Sequence, residues 1–289
     1  MPATRYRLVA VDLDGTLLSS KRTIAERDAN ALALCVDRGV FVAIVTGRRF
    51  PAARPYIDEL PLTPFIVANS GAIIKQDSDG PILRRRLLPL AIAELVVEIA
   101  TQAGIEPVVH DGPDAEGHLI LRERARELPH VGRYLNQTTP PPTFVRSIEL
   151  QRDPVQIGFA ASVKTIRALA SRLATDVDNV TFARTEYPAE QLALLDVLAA
   201  DASKSRSLEF LCDHVGITLN ESIAIGDNWN DLDMLEAAGR GVVMSNADGE
   251  LKNKGFTETA SNDDAGVAEA IHRYVLTEAS LNAGEKNRG

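Results

Sequence analysis

The sequence predicts an α/β protein in which a parallel-sheet core is assembled from both ends of the chain and an α+β domain is inserted between them. Three observations carry this expectation. Short apolar runs alternate with helically periodic segments over the first eighty or so residues, and the same alternation returns from Ser203 onward. The stretch between them has a different character, with a Pro140-Pro141-Pro142 run, the basic cluster Arg84-Arg85-Arg86, and segments that alternate apolar with polar residues.

Arg7–Val11 is a short apolar strand that runs into acidic residues. Thr23–Arg38 has helical periodicity, placing Ile24, Ala31, Leu34 and Cys35 on one face, with Gly39 as the C-terminal stop. Val40–Val45 is β-branched and almost wholly apolar, the composition of a strand covered on both faces. It ends at Thr46-Gly47-Arg48, and a further helix leads to the strand Phe65–Ala68, which ends at Asn69-Ser70-Gly71. Such an order of strands and helices calls for parallel pairing with right-handed crossovers. In the insertion, His118–Arg122 and Gln156–Ala160 alternate as antiparallel strands with one wet face do. The second half of the core then reads as helix Ser203–Val215, strand Ser222–Ile225, helix Asp231–Ala238 stopped by Gly239, strand Gly241–Met244 and a closing helix Ala265–Leu276. The expected division is residues 1–81 and 189–289 for the core and 82–188 for the insertion, with hinges near Gly80–Leu88 and Tyr187–Gln191.

With 289 residues the chain has the length of about two domains. Its net charge of −9 argues against non-specific binding to nucleic acid or to an anionic membrane surface, while leaving room for an anionic small molecule met by local cations. No apolar run approaches the roughly 18 residues needed to cross a bilayer, and Asp12 interrupts the first apolar segment before a secretory signal can develop. Cys35 and Cys212 lie far apart in apolar segments, which suits reduced core residues of a cytoplasmic protein. The sequence contains no phosphate-binding P-loop, no Gly-x-Gly-x-x-Gly, no Gly-x-Ser-x-Gly and no His-Glu-x-x-His.

In an open parallel sheet, ligands bind beyond the carboxyl ends of the strands, so the residues there are the candidates. After the first strand come Asp12 and Asp14 in Asp12-Leu13-Asp14-Gly15-Thr16, either an acidic turn or a pair of carboxylates brought to one centre by a cation or a proton. Thr46-Gly47-Arg48 is either a helix cap or a set of donors for phosphate oxygens. In Gly226-Asp227-Asn228-Trp229-Asn230-Asp231, Asp231 suits a helix N-terminus, but two Asp and two Asn in one loop are better explained by a hard oxygen-ligated metal such as Mg²⁺. Lys204 opens a helix that Ser203 caps, where a cation opposes the macrodipole. A bound phosphate would remove that cost, since the lysine and the helix N-terminus both attract it; a tolerated surface charge is the alternative.

Taken together and in this order, these motifs resemble the four motifs of the haloacid-dehalogenase (HAD) superfamily of phosphatases, and the position and size of the insertion resemble its Cof-type subgroup. The resemblance implies a Rossmann-like, HAD-like core with an inserted α+β cap domain. It implies that Asp12 is the nucleophile that becomes an aspartyl-phosphate and that Asp14 is the general acid and base. Mg²⁺ would be held by Asp12, the Asp14 backbone carbonyl and Asp227, with Asp231 in support. Thr46, Gly47, Lys204 and Asn230 would bind and position the phosphoryl group. Two departures stand out: Ser70 occupies a position where the family often has Asn, and Asp196 stands where an acidic residue, usually Glu, precedes the lysine. The implied activity is Mg²⁺-dependent hydrolysis of small phosphomonoesters such as sugar phosphates. A phosphosugar mutase and a non-catalytic phosphometabolite-binding module are the alternatives. Among insertion residues, His110, Arg122, Arg146 and Arg184 are expected at a solvated surface rather than at the substrate.

Overall fold

The computed structural model describes residues 5–112, 114, 117–135, 140–187 and 190–276. In chain order the elements are β1 Leu8–Asp12, α1 Glu26–Asp37, β2 Phe41–Val45, α2 Phe50–Ile57, β3 Phe65–Ala68, β4 Ile73–Lys75, β5 Ile82–Arg85, α3 Leu90–Gln102, β6 Pro107–Asp111, β7 His118–Arg122, α4 Pro129–Leu135, β8 Thr143–Val145 and β9 Gln156–Ala161. They continue with α5 Val163–Asp176, β10 Val180–Tyr187, β11 Leu192–Ala199, α6 Lys204–His214, β12 Ser222–Gly226, α7 Leu232–Ala237, β13 Arg240–Met244, α8 Gly249–Lys252, β14 Thr257–Thr259 and α9 Gly266–Ile271, which runs on as a π-helical turn over His272–Leu276.

The apolar runs that read as doubly covered strands are central. All five residues of β1 are buried, and β1 lies between β2 and β12 in an eight-stranded sheet of order β14-β13-β12-β1-β2-β3-β4-β5. Pairing is parallel from β14 through β3, and β4 and β5 extend the sheet antiparallel. One face packs Val9, Val11, Ile44 and Ile66 against α1 and α9, and the other packs Ala10, Val45 and Val67 against α6 and α7. This is the parallel-sheet α/β core expected from the strand–helix alternation. A second sheet, of order β10-β11-β9-β6-β7-β8, is antiparallel except for the β7–β8 pair and buries its own core with α3 and α5.

The details shift several expectations. In α1, which begins at Glu26, the buried face runs through Asp28, Ala31, Leu32 and Cys35 at i, i+3, i+4, i+7 spacing, and Leu34 is exposed. Gly39 does stop the helix, with φ +76 and its N–H donated to Val36. Sheet membership also moves both expected boundaries of the insertion. β5 pairs with β4 in the first sheet, so the chain crosses after Arg85, where Arg86 N–H bonds Ala72 on one side and Leu88 N–H bonds Pro154 on the other. At the far end, β10 and β11 pair along their whole lengths, Tyr187 opposite Leu192, so the return crossing lies between Ala199 and Lys204. The segment expected as a hinge, Tyr187–Gln191, thus joins two paired strands of the second sheet; Pro188 and Ala189 lie outside the described residues. The actual crossings are adjacent, since Arg84 donates to the Asp201 backbone carbonyl at 2.7 Å and Arg86 pairs with the Asp201 carboxylate. Among the described residues no helix is long and apolar enough to cross a membrane. Cys35 and Cys212 are buried free thiols.

Asp28 is a charge buried for structural reasons. Its Oδ1 accepts the Ala268 N–H of α9 at 2.7 Å, its Oδ2 has no partner, and burial raises its pKa to about 6. A carboxyl whose folded pKa lies above its unfolded value of about 3.9 favours the fold while protonated and loses that contribution as pH rises through 4 to 6. The Asp28→Asn variant keeps the acceptor and removes the charge. Its stability relative to wild type is expected to improve by about 2–3 kcal/mol between pH 4 and pH 7, measured by denaturant unfolding. A pH-independent difference would contradict this account of Asp28.

Candidate active site

Parallel pairing brings the carboxyl ends of β1, β2, β3 and β12 to one edge, and with them Asp12, Thr46, Asn69 and Asp227. Beyond that edge lies a cavity of ≈ 700 Å³ lined by Asp12, Asp14, Gly47, Asp227 and Asn230 from below and by Thr185, Tyr187, Leu194 and Asp196 of the second sheet from above.

At its floor Lys204, Asp12 and Asp231 are shut away from bulk water, with Asp227 half-buried beside them. Lys204 opens α6, where Ser203 Oγ accepts the Arg206 N–H as the helix cap. The side chain, 1% exposed, turns inward and donates to Asp12 Oδ1 and Asp231 Oδ1, both at 2.5 Å. The cation that seemed to oppose the macrodipole is thus stabilised by carboxylates rather than left at a wet surface. Burial alone would lower the Lys204 pKa, but Asp12 and Asp231 outweigh it and hold the ammonium firmly charged. Asp231 uses its other oxygen, Oδ2, to accept the backbone N–H groups of Asp227 and Asn228 at 3.1 and 3.0 Å, which folds the loop back on itself.

Asp12, Asp227 and Asp231 offer oxygens within 4.8 Å of one another, a group that could hold a metal ion. Burial, then the neighbouring Asp231, pushes the Asp12 carboxyl well above the usual range and Asp227 up to about 8. Ionised together, the three carboxylates would carry two negative charges beyond the one ammonium, which a divalent cation would balance. Asp227 accepts a hydrogen bond from the Thr16 hydroxyl at 2.9 Å, and among the described residues no cationic side chain is bonded to it. The hard-oxygen donor set and the charge deficit both fit an ion of the Mg²⁺ type. Gly15, at φ +79, lets the chain turn back here: a Cβ at this position would lie 2.3 Å from Asp227 Oδ2.

The remaining candidates ring this floor. Asp14 lies outside the three-carboxylate group, its carboxylate held by Arg48 through Nε at 2.7 Å and a terminal nitrogen at 2.5 Å. The guanidinium also lies 4.9 Å from the Tyr56 ring centroid and donates to Ala52 O. Thr46 is buried, its hydroxyl accepting the Arg48 N–H at 3.1 Å, and Gly47 faces Ser70 and Asn230 across the narrow part of the pocket. Asn69 and Ser70 both adopt φ near +51, a left-handed pair that turns the chain off β3. Ser70 Oγ and Asn230 Oδ1 are buried atoms with no hydrogen-bond partner, so polar capacity is left over beside the cavity.

The fold therefore gathers Asp12, Asp14, Gly47, Asp227 and Asn230 at one cavity, with Thr46, Lys204 and Asp231 directly behind it. The side chains expected at a solvated surface differ more. His110 is buried, hydrogen-bonded to Asn69 Nδ2 at 3.2 Å, and its pKa falls to about 3 through burial and the nearby Arg49. Arg122 is mostly covered and paired with Glu106, Arg184 pairs with Glu186 at 3.1 Å, and Arg146 is exposed as expected. Sequence reasoning missed the Arg48–Asp14 pair and the contact of Asn228 with β10. In that contact Asn228 Nδ2 donates to Glu186 O and Asn228 Oδ1 accepts the Glu186 N–H, each at 3.2 Å, tying the second sheet to the Asp227 loop.

Comparison with known proteins gives the class of this fold, with its converging aspartates, buried lysine and covering second sheet. Residues 9–271 match the family model described as haloacid dehalogenase-like hydrolase. The chain is 29% identical over 273 residues to the 5-amino-6-(5-phospho-D-ribitylamino)uracil phosphatase YitU of Bacillus subtilis, covering 94% of this chain and 98% of that protein. It is 28% identical over 283 residues to the pyridoxal phosphate phosphatase YbhA of Escherichia coli, covering 93% and 99%. The crystal structure of a haloacid dehalogenase-like hydrolase from Bacteroides thetaiotaomicron aligns with a TM-score of 0.73 at 26% identity, over 93% of this chain and 99% of that one. The chain belongs to the haloacid dehalogenase-like hydrolase family, and it is a phosphoric monoester hydrolase.

Proposed function

We propose that this protein is a Mg²⁺-dependent phosphatase of small phosphorylated metabolites, working through a phosphoryl group carried transiently by Asp12. The observation that supports this best is the pairing of Asp12 with Lys204 inside a three-carboxylate group that, fully ionised, carries two surplus negative charges. Asp12, Asp227 and Asp231, with the Asp14 backbone carbonyl, would hold the ion, whose chemistry is to neutralise charge building on the phosphoryl oxygens.

Asp12 Oδ1 is fixed by Lys204, which sets the rotamer and points the carboxylate into the cavity. Attack on phosphorus forms the Asp12–phosphoryl bond as the bond to the leaving oxygen breaks, and Asp14 donates its proton to that oxygen. Asp14 then takes a proton from the water that hydrolyses the intermediate. Arg48 grips both Asp14 oxygens. A substrate phosphate would compete for that guanidinium and free the Asp14 side chain to turn toward the leaving oxygen. Thr46, the Gly47 backbone, Lys204 and Asn230 position the phosphoryl group, with the orphaned Asn230 Oδ1 and Ser70 Oγ available to ordered water or the ester.

The second sheet acts as a cap domain, approximately residues 86–199, hinged at the two adjacent crossings and excluding water during turnover. Buried free thiols and the lack of a membrane-spanning helix among the described residues suit a cytoplasmic location. Like the YitU and YbhA relatives, the enzyme would act on phosphomonoesters of metabolite size.

Metal removal tests the reading. Turnover of p-nitrophenyl phosphate is expected to fall at least about 10³-fold in EDTA and to return with Mg²⁺, while Mg²⁺ raises the melting temperature in a concentration-dependent way. Undiminished turnover after chelation would refute the metal dependence.

A further inference from the structure

Among the described residues, the buried carboxylates have a positive counterpart or a place in the metal group, whereas half-buried Asp196 in the cavity roof stands apart. Asp12 and Asp231 share Lys204, Glu106 has Arg122 and Arg124, and Glu186 has Arg167 and Arg184. Asp227 stands in the metal group, and Asp28 has the Ala268 N–H and the nearby Arg27. Asp196 has neither. It projects from β11 into the cavity roof, and its one hydrogen bond is from Gln156 Nε2 to Oδ1 at 2.8 Å. Its Oδ2 has no protein partner, and no Lys or Arg among the described residues pairs with it. His110 lies alongside but brings no charge, because burial and Arg49 keep it neutral. Burial pushes the Asp196 carboxyl up to about 7, the response of a charge lacking its counter-ion.

The placement is specific. Residues two apart on a strand share a face, and Leu192, Leu194 and Asp196 all line the cavity. Across the pair, Tyr187 lies opposite Leu192 and Thr185 opposite Leu194. The Tyr187 end is the phosphoryl end: the charges of Asp14, Asp227 and Asp12 raise its phenol pKa, after burial itself. Asp196 is four residues on, about 13 Å along the strand at 3.3 Å per residue, beyond two leucines. A negative group repels a phosphate, so the part of a substrate suited to Asp196 is a cationic group on the leaving group, beyond the leucine row.

We propose that Asp196, oriented by Gln156, is a specificity-determining residue that binds a protonated amino group on a ring-sized leaving group, so that amino-bearing phosphomonoesters are preferred to their hydroxyl counterparts. The inference rests on the phosphatase reading above for the position of the phosphate, and it deepens that reading by naming what the cap recognises. A cationic amine supplies the counter-charge that the protein withholds, and the apolar Leu192–Leu194 row accommodates the ring between amine and ester.

The test uses two matched pairs differing by one amine-for-hydroxyl exchange: pyridoxamine 5′-phosphate against pyridoxine 5′-phosphate, and glucosamine 6-phosphate against glucose 6-phosphate. In wild type the amino member of at least one pair should have a kcat/KM about tenfold or more above its hydroxyl partner, and Asp196→Asn should bring that ratio to within about twofold of unity. Asp196→Ser serves as a second variant, and melting temperature reports folding. The same pairs are titrated calorimetrically into chelated protein, where turnover is suppressed. A preference for the amine in binding, with no turnover of these esters or of p-nitrophenyl phosphate, upholds the subsite and overturns the phosphatase reading. Turnover with no amino preference in either assay, or a preference that survives both substitutions, overturns the subsite and leaves the phosphatase reading intact.

Discussion

Replacing Asp12 with Asn is expected to lower p-nitrophenyl phosphate turnover by about 10⁴-fold or more while the protein stays folded. The amide keeps an oxygen for the Lys204 ammonium, so the site loses a nucleophile and a charge but little packing. Stability should hold or rise, because burial and the neighbouring Asp231 already disfavour the ionised Asp12 carboxylate. The two outcomes belong together: a large catalytic loss with an unchanged denaturation midpoint identifies a chemical role. A variant retaining more than about one per cent of wild-type turnover would remove Asp12 as the nucleophile.

The second large effect concerns Lys204. Its side chain neutralises two buried carboxylates at once, and Lys204→Met leaves Asp12 and Asp231 facing each other without a cation. Removing one partner of a buried ion pair typically costs about 3–5 kcal/mol, and that loss is expected at pH 7 in metal-free protein. The sign with pH follows from the same charges. Without the ammonium the Asp12 carboxyl holds its proton more tightly, so the penalty shrinks as acid neutralises it and grows as pH rises. Turnover should fall by about 10³-fold, since the phosphoryl group also loses its fixed positive partner. Denaturant unfolding of the metal-free variant at several pH values checks this; a destabilisation under about 1 kcal/mol would mean the lysine is not the electrostatic centre of the floor.

Both variants exploit a site whose backbone frame was readable from the sequence. The runs at Leu8–Asp12, Phe41–Val45, Phe65–Ala68 and Ser222–Gly226 are apolar on both faces, which leaves parallel, doubly covered strands as the natural solution. Once these are parallel, the chemistry-bearing residues that follow them share an edge without further information. The Lys204 helix start was legible because Ser203 marks the cap, but the direction of the lysine side chain was not, since it depends on carboxylates 192 and 27 residues away. The Arg48–Asp14 pair and the Asn228–Glu186 contact were hidden for the same reason: they join segments 34 and 42 residues apart, and no local pattern announces them. The insertion was the least legible part. A hinge was expected near Tyr187–Gln191, whereas β10 and β11 pair along their lengths within one sheet, up to Tyr187 opposite Leu192. His110 was expected at a solvated surface; its burial comes from the meeting of the second sheet with Asn69.

The stereochemical course at phosphorus tests the central claim most directly. A monoester whose phosphorus is chiral through oxygen isotopes is hydrolysed by the Mg²⁺-loaded wild-type enzyme, and the configuration of the product phosphate is determined. Transfer first to Asp12 and then to water is two in-line displacements, and the account predicts net retention. Net inversion would mean that water attacks the ester directly, and Asp12 would then be no more than a metal ligand.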